Sequence, residues 1–340
     1  MRIAREEPVS PGLVTAGFEN YSFQHVALPE IDLRHVSLGV EFLGKQLAAP
    51  LLISSMTGGT PEAGDINRRL AAAAQKFGLA LALGSARAAI DDPALAPTFR
   101  VRDLAPDILL LANLGAVQLN CGYSYSECMR AIEMAQADAL ILHLNPLQEA
   151  LQPSGDANFA GLLHKIEDLC RQLPVPVVVK EVGWGLSAEV AGKLVEAGVS
   201  ALDIAGAGGT SWSEIEGFRI QDDALRQVAL DFREWGIPTA EAIRQVRRAC
   251  PNTPLIGSGG IRSGIDLAKA IALGADIGGV ALPFLKAASN SEEALHAHIR
   301  RFLEGLRIAM FCIGAQNIRE LQSTRHLMQT PTQPGDDPIG

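Results

Sequence analysis

Eight short apolar runs, each followed by a stretch with helical periodicity, constrain the fold of this chain more than any other feature. Several runs are continuously apolar, which is the pattern of strands covered on both faces and favours a parallel sheet. Ser187 is a candidate N-cap for one of the intervening helices. The predicted helices include 65–77, 187–197 and 264–273. The predicted strands cover residues 51–55, 79–83, 108–113, 139–143, 175–180, 201–204, 254–258 and 277–282. Their number and order predict an α/β fold, a closed (β/α)8 TIM barrel.

The strand pattern divides the chain into three parts. Residues 1–49 are irregular, and we expect this N-terminal extension to pack on one end of the barrel. Its apolar anchors are Phe18, Tyr21, Phe23 and Phe42. Residues 50–323 form the barrel, in which the segment 206–233 is long enough to include an active-site lid. Residues 324–340 have a linker composition and are expected to form a flexible C-terminal tail.

Composition excludes several classes of function. The formal net charge of -9 argues against sequence-independent binding of nucleic acid, because such binding needs clustered lysine and arginine. The chain begins without an apolar signal core, and no apolar run approaches the roughly 20 residues of a membrane span. The five cysteines lack CxxC spacing, so neither a zinc site nor a disulfide framework is indicated. These features favour a cytoplasmic protein without a membrane partner.

The most informative local motif is the string at 143–149, which follows a buried strand. His143 titrates near neutral pH, Asn145 and Gln148 are amides, and Glu149 is a hard oxygen ligand suited to magnesium. A lone buried histidine is usually structural, and a lone glutamate there usually caps a helix. Together they predict a catalytic or substrate-binding role for His143 and Gln148.

Polar residues also end other strands, and a barrel brings these ends together on one face. Ser85 and Arg87 follow the second strand, where a guanidinium suits phosphate unless it forms a surface ion pair. Asn113 and Gln118 follow the third strand, where amides suit a heterocycle edge or cap a helix. Lys180 ends the fifth strand after three valines, so its ammonium is expected to emerge from an apolar wall.

Glycine-rich segments follow the first, sixth and seventh strands, at 54–60, 205–212 and 257–264. Glycine lets the backbone approach a flat or anionic ligand, although the first segment is equally consistent with a structural turn. Loops after the seventh and eighth strands are where barrels commonly hold a phosphate. The sequence therefore predicts a phosphorylated cofactor or substrate.

Taken together, these segments resemble the type 2 isopentenyl-diphosphate Δ-isomerases, flavoproteins built on a (β/α)8 barrel. The most specific part is the string His-x-Asn-x-x-Gln-Glu at 143–149 beside Met-Thr-Gly-Gly at 56–59. The matching segments are 27–32, 54–59, 112–116, 143–149, 180–183 and 206–212.

The resemblance implies a reaction and a set of roles. FMN is implied to contact Met56, Thr57, Gly58, Ser85, Asn113, Lys180 and Thr210, with its phosphate on Gly259, Gly260, Arg262, Ala281 and Leu282. The substrate is implied to meet Ser85, Arg87 and Gln148, with Glu149 binding Mg2+ and His143 steadying the diphosphate end. Trp212 and Glu216 are implied to line the reacting carbon skeleton. The resemblance further implies that the protein interconverts isopentenyl and dimethylallyl diphosphate on reduced FMN, with NADPH as reductant, in a homo-oligomer of four or eight subunits.

One departure from the family pattern concerns an upstream Arg-Lys-x-x-His segment that contributes to diphosphate binding. Here the sequence starts at Met1, just beyond it. Three alternatives are open: the chain is shortened at this end, other cations compensate, or the protein binds flavin but isomerises poorly. The corresponding expectation is weakened substrate affinity with intact FMN binding.

Two other enzyme classes share the predicted barrel. An FMN-dependent oxidoreductase of the hydroxyacid-oxidase kind stays open as an alternative, although that family lacks the string at 143–149. An inosinate dehydrogenase is disfavoured, because its nucleophilic cysteine follows the sixth strand, where this chain has Gly208, Gly209 and Thr210.

Overall fold

A computed structural model describes residues 14–330 of the chain, and within them parallel strands close into a barrel. The barrel strands are β4 (Leu51–Ile53), β5 (Ala80–Ala82), β6 (Leu110–Gly115), β7 (Ala139–His143), β8 (Val177–Lys180), β9 (Ala201–Asp203), β10 (Leu255–Ser258) and β11 (Ile277–Val280). Consecutive strands are neighbours, and β11 pairs with β4 to close the ring. The remaining strands in the described part are β1 (Tyr21–Phe23), β2 (Val40–Phe42), β3 (Lys45–Leu47) and β12 (Leu327–Gln329). The predicted (β/α)8 barrel is confirmed.

Helices alternate with the barrel strands as predicted. Ser187 caps its helix by accepting a hydrogen bond from the Val190 N–H. The helix predicted from residue 65 begins earlier, at Pro61, because the Thr60 side chain accepts the Ala63 N–H and proline is favoured at the first helical position. The helices are Pro61–Phe77, Arg87–Asp91, Tyr125–Ala135, Pro146–Leu151, Leu162–Gln172, Ala188–Glu196, Trp212–Gly217, Asp223–Asp231, Thr239–Ala249, Gly264–Ala272, Leu282–Asn290, Glu292–Cys312 and Ile318–Gln322. Among residues 14–330, no helix is long and apolar enough to cross a membrane.

The lower part of the barrel interior is apolar and closed at one end by the N-terminal extension. Alternate strand residues point inward, and those of the lower layers form one buried cluster. Its barrel members are Leu52, Ala80, Ala82, Leu109, Leu111, Ala139, Ile141, Val178, Ala201, Ile256 and Ile277. Phe42 and Leu47, from the β2–β3 hairpin, complete the cluster. The predicted packing of the extension on the barrel is thus observed for its described residues.

The next inward positions, two residues further along, are polar in six of the eight barrel strands, whereas β5 and β11 have glycine there. Because the side-chain period of a strand is two, these residues share the inner face with the apolar layers but lie at the carboxyl ends. They are Ser54, Asn113, His143, Lys180, Asp203 and Ser258. The barrel therefore has a polar layer at its mouth, above the apolar cluster that fills its interior.

The opposite end of the barrel is fastened by two equivalent ion pairs. Arg102 contacts Asp138 at 2.8 Å, and Asp138 also accepts the Leu110 N–H at 2.9 Å. Four strands further round, Arg247 contacts Asp276 at 2.8 Å, and Asp276 accepts the Leu255 N–H at 2.8 Å. In both cases an aspartate just before one strand holds the start of the preceding strand.

The two ends of the described chain meet in an antiparallel pair, β1 with β12. The predicted flexible tail starts at residue 324, but residues 327–329 belong to β12 and are held by backbone hydrogen bonds to β1. Residues 331–340, like residues 1–13, lie outside the described part. The division at 49/50 and 323/324 remains a prediction.

Candidate active site

A cavity of about 200 Å³ opens beside the polar layer at the barrel mouth. Its wall is formed by Ser85, Arg87, Gly115, Gln118, His143, Asn145, Gln148, Glu149 and Gln152. The lining thus brings together both segments in which the sequence predicted substrate-binding residues. Polar side chains dominate it, as expected for a site that binds a charged ligand.

Ser55, Asn113 and His143, at the carboxyl ends of β4, β6 and β7, form a hydrogen-bonded chain beside the cavity. The Asn113 amide donates to Ser55 Oγ at 2.8 Å, and Asn113 Oδ1 lies 2.7 Å from His143 Nδ1. Since a carbonyl oxygen accepts, His143 Nδ1 carries the proton and Nε2 is left with a lone pair. Burial, reinforced by the positive charge of Lys180, lowers the pKa of His143 to about 3. His143 is therefore a neutral hydrogen-bond acceptor at the site.

The helix Pro146–Leu151 positions the amides and carboxylate of the string. Asn145 Nδ2 donates to Gln148 Oε1 at 3.2 Å and to Glu149 Oε1 at 2.7 Å. The Asp156 N–H donates to Glu149 Oε2 at 2.8 Å. Each Glu149 oxygen keeps a lone pair, so this carboxylate can still take a cation carried by an anionic ligand. Within residues 14–330, no cluster of three or more His, Cys, Asp or Glu is arranged to hold a metal by itself.

Glu216 is the most buried carboxylate next to the cavity, with 1% of its surface exposed. Its Oε1 accepts hydrogen bonds from Gln148 Nε2 and Gln152 Nε2, both at 3.0 Å, and Oε2 receives Arg219 at 3.4 Å. The helix Trp212–Gly217 that carries it follows β9 and packs on the helix of Gln148. The structure thus joins Gln148 and Glu216, which the sequence placed in separate segments.

Arg87 is half exposed and paired with acidic groups rather than free. Its Nη1 lies 3.3 Å from Asp156 Oδ2, and its Nε lies 3.8 Å from Asp91 Oδ2. Gln118 Nε2 donates to the same Asp156 oxygen at 3.3 Å. Such exposed pairs are weak, so an incoming phosphate can compete for the guanidinium.

Lys180 lies in the polar layer, 8% exposed, and donates to the Glu181 carbonyl at 2.5 Å. The Glu181 carboxylate turns away and accepts four backbone N–H groups of residues 182–185, which fixes the loop after β8. Burial raises the pKa of Glu181 to about 7, against the lowering effect of these N–H groups and of Lys180. Trp212 packs beside this loop, since a Cβ on Gly183 would lie 3.5 Å from its ring. Thr210 adjoins the same glycine through its carbonyl.

The glycine-rich loops after β9 and β10 are in backbone contact. Gly259 and Gly260 adopt left-handed φ values of 106° and 70°, and a Cβ on Gly209 would lie 2.8 Å from the Gly260 nitrogen. Arg262 donates to the Gly208 carbonyl at 3.1 Å. This concavity of backbone N–H groups is the type that binds phosphate.

The other predicted cofactor residues lie at neighbouring strand ends. Thr57 follows β4, and its backbone packs against Gly84 at the end of β5. Gly58 faces Phe99, and Met56 packs on the core. Ala281 and Leu282 form the start of the helix Leu282–Asn290. The predicted set therefore surrounds one end of the barrel, although which of these residues touch a cofactor stays a prediction.

Several buried polar atoms near the mouth have no hydrogen-bond partner in the described structure. They include Ser54 Oγ, Asn145 Oδ1 and Asp203 Oδ2. Buried polar atoms are usually paired, so their grouping at the carboxyl ends of strands fits a site completed by a polar ligand.

Sequence reasoning did not single out Gln152, Asp156, Glu181 or Asp203 as site residues. Gln152 and Asp156 lie beyond the short helix, and their partners are remote in sequence. Asp203 was detectable in principle, because it stands two positions after the inward-facing Ala201.

Comparison with known proteins identifies the family. Residues 126–329 match the model of the FMN-dependent dehydrogenase family. A Nostoc isopentenyl-diphosphate delta-isomerase is 54% identical over 329 residues, covering 97% of this chain and 94% of its own. The enzyme of that name from Synechococcus is 58% identical over 312 residues, covering 92% and 90%.

Solved structures agree on the fold. A Pediococcus acidilactici lactate oxidase superposes with a TM-score of 0.69 at 17% identity, covering 93% of this chain and 85% of that one. Flavocytochrome b2 with bound pyruvate gives a TM-score of 0.70 at 18% identity, covering 96% and 82%. At these identities the likeness extends to the barrel and no further. Identity above 50% along nearly the whole length is decisive: the chain belongs to the FMN-dependent, type 2 isopentenyl-diphosphate Δ-isomerases.

Proposed function

We propose that this protein interconverts isopentenyl diphosphate and dimethylallyl diphosphate, using reduced FMN, in isoprenoid biosynthesis. The observation that carries the proposal is the cavity at the barrel mouth. His143, Asn145, Gln148 and Glu149 of the string line this cavity. Hydrogen bonds join Asn145 to Gln148 and Glu149, and join Gln148 to the buried Glu216. The relatives that share most of this sequence carry the name of that activity.

The residues at the mouth fit FMN in two respects. The contacting loops at 208–209 and 259–260, with Arg262, offer backbone N–H groups and a cation for its phosphate. The polar layer offers Asn113 and the Lys180 ammonium to a heterocycle edge, and the unpartnered Ser54 hydroxyl lies in the same layer. We assign Met56, Thr57, Gly58, Ser85, Thr210, Ala281 and Leu282 to the remaining contacts.

The cavity beside this layer suits the diphosphate end of the substrate as its magnesium complex. Arg87 is a cation, but Glu149 and Asp156 place two carboxylates next to it. A diphosphate alone is repelled by these carboxylates. Glu149 would be the residue that holds a Mg2+ ion brought with the substrate, and the charge of that ion would turn repulsion into attraction. Ser85 and the neutral His143 complete the wall, and His143 Nε2 accepts a hydrogen bond from ligand or water.

The reaction adds a proton at C4 of the alkene and removes one at C2, so there is no net oxidation. Reduced FMN, when bound, supplies an electron-rich ring that exchanges a proton with the alkene and offsets positive charge on it. Glu216 is buried, and the amides of Gln148 and Gln152 aim its carboxylate. Gln148 orients, since an amide has no useful pKa, and Trp212 helps to exclude water from the carbon skeleton.

Three further features complete the proposal. NADPH serves as the reductant that primes the flavin. The protein works as a homo-oligomer of four or eight subunits, which sedimentation equilibrium tests directly. Its location is cytoplasmic, which the free thiols of Cys121, Cys128, Cys170, Cys250 and Cys312 support.

The test is anaerobic incubation of the FMN-loaded, NADPH-reduced protein with isopentenyl diphosphate and Mg2+. We expect dimethylallyl diphosphate in many-fold excess over the NADPH consumed. Stoichiometric oxidation of a 2-hydroxy acid, without isomerisation, would instead establish the oxidoreductase alternative that the barrel also suits. Tight FMN binding with neither activity would leave a flavin-binding protein and refute the proposal.

A further inference from the structure

Asp203, the last residue of β9, is a fully buried carboxylate with one oxygen fixed and one free. Its Oδ1 accepts a hydrogen bond from Ser258 Oγ on the neighbouring strand. The Ala205 N–H donates to the same Ser258 hydroxyl at 3.0 Å, so the hydroxyl proton is directed to Asp203. Asp203 Oδ2 has no hydrogen-bond partner in the part of the chain that the structure describes.

Lys180 lies at the same height on the other side of Asp203. The two residues are paired Cα partners of the parallel strands β8 and β9, and both face the barrel interior. Lys180 Nζ donates to the Glu181 carbonyl, and among residues 14–330 no carboxylate oxygen lies within 4.0 Å of it. A buried ammonium and an unpartnered carboxylate oxygen are thus neighbours without direct contact.

Within residues 14–330, the side chains of His143 and Glu181 accept no hydrogen bond from the Lys180 ammonium. His143, its partner on β7, is neutral, because burial and Lys180 itself lower the pKa of the imidazole to about 3. The Glu181 carboxylate is occupied by the N–H groups of its own loop. Asp203 is the remaining acidic group beside Lys180 within residues 14–330, and it is fully buried. Burial raises the pKa of its carboxyl, and the charge of Lys180 and the hydrogen bond from Ser258 act in the opposite direction.

The turn that follows Asp203 indicates that its position is enforced. Ala205 has a φ of 40°, in the left-handed region that disfavours a residue with a Cβ. The hydrogen bond from its N–H to Ser258 holds it there, and the same hydroxyl holds Asp203. Ser258 therefore couples the backbone turn to the orientation of the carboxylate.

We propose that Asp203 is a positioning residue that holds the Lys180 ammonium at the barrel mouth through its charge, with Ser258 fixing the carboxylate. The inference rests on the proposed function, because it takes Lys180 to face the flavin. A buried charge whose partner is removed is strongly disfavoured, so Lys180 would turn toward water in the absence of Asp203. The flavin would then lose its neighbouring cation.

The experiment measures FMN affinity and the midpoint potential of bound FMN in Asp203→Asn, Lys180→Met, the double variant and the wild type. Loss of the cation disfavours the electron-rich reduced ring, so Lys180→Met should lower the midpoint potential. We expect Asp203→Asn to lower it as well and to weaken FMN binding at least about tenfold. The double variant should bind FMN no more weakly than Lys180→Met alone, because the effect of Asp203 passes through Lys180.

The sign of the shift in midpoint potential distinguishes a residue that positions Lys180 from one that only adds negative charge near the flavin. If Asp203 merely contributes negative charge, its neutralisation raises the midpoint potential, and that result, or an unchanged potential, would overturn the inference. Additive losses of affinity in the double variant would overturn it too. Asp103→Asn, an exposed aspartate paired with Arg68, is the charge-matched control and should change nothing.

A second variant keeps the inference testable if Asp203→Asn does not fold. Ser258→Ala retains the carboxylate but frees it, and should shift potential and affinity in the same direction by a smaller amount. Wild-type protein that does not bind FMN would refute the proposed function and this inference with it. Normal isomerisation with a raised potential in Asp203→Asn would refute the inference alone.

Discussion

The neutral state of His143 makes a quantitative prediction about acid stability. Its Nδ1 proton is committed to Asn113, and burial beside Lys180 lowers its pKa to about 3, against an ordinary value near 6.5. Below pH 6.5 the unfolded chain takes up a proton on this residue and the folded chain does not. The free energy of unfolding therefore falls as the pH falls, and the loss is complete at about pH 3.

The magnitude follows from 1.36 kcal/mol per pH unit. Between pH 7.0 and 5.0, one histidine held neutral removes about 2 kcal/mol of stability. His143→Gln cannot titrate, so its stability should fall by about 2 kcal/mol less than that of the wild type over this interval. Glu181 and the other titrating groups are common to both proteins and cancel in the difference.

The assay is urea unfolding of flavin-free protein at pH 7.0 and 5.0, with exposed His164→Gln as the matched control. Ring ¹⁵N shifts provide an independent reading and should show the Nδ1–H tautomer unchanged down to about pH 4. An His143 ring that titrates near pH 6.5 would refute the reasoning. So would an equal loss of stability in wild type and His143→Gln.

Three other predictions follow from the geometry. Gly259→Ala should destabilise the protein by more than about 2 kcal/mol and weaken FMN binding, because the added Cβ would lie 2.3 Å from a backbone oxygen. The control is Gly122→Ala, at a similar φ but in open space, which should cost about 1 kcal/mol. Chemical denaturation measures both. Equal effects would contradict the steric argument. Glu216→Gln should lower kcat about 100-fold or more and leave FMN affinity unchanged. Isomerisation assays and flavin fluorescence measure the two quantities. Full activity of the variant would show that the Glu216 carboxylate takes no part in the reaction. Asp138→Ala and Asp276→Ala should each cost about 3 kcal/mol of stability, because each leaves a backbone N–H without a partner and an arginine without its carboxylate. FMN affinity should be preserved, and loss of binding in a folded variant would contradict a purely structural role.

The barrel could be predicted from the sequence because its strands are continuously apolar and its helices carry local signals such as Ser187. Local chemistry also revealed His143 and Lys180, which are conspicuous at the ends of apolar runs. The helix boundaries were predicted less accurately. The Thr60 cap and the proline after it make the first barrel helix begin before its periodic part. The pairing of β1 with β12 joins segments about 300 residues apart, for which no local pattern exists.

The partners of the site residues were hidden for a related reason. Gln148 was predicted to act, but its hydrogen bond to Glu216 spans 68 residues and depends on how two short helices pack. Asp203 looks from sequence like the polar end of a strand, and its role becomes visible when β8 and β10 are placed on either side of it. Strand parity is the one sequence signal that points to it.

The proposed flavin site is the polar layer at the barrel mouth. The most direct measurement is a crystal structure of the protein with bound FMN. We predict the isoalloxazine ring over this layer, with Lys180 Nζ and an Asn113 amide atom within hydrogen-bonding distance and the phosphate on the loops at 208–209 and 259–260. A flavin bound elsewhere, or a mouth left empty at saturating FMN, would contradict the account.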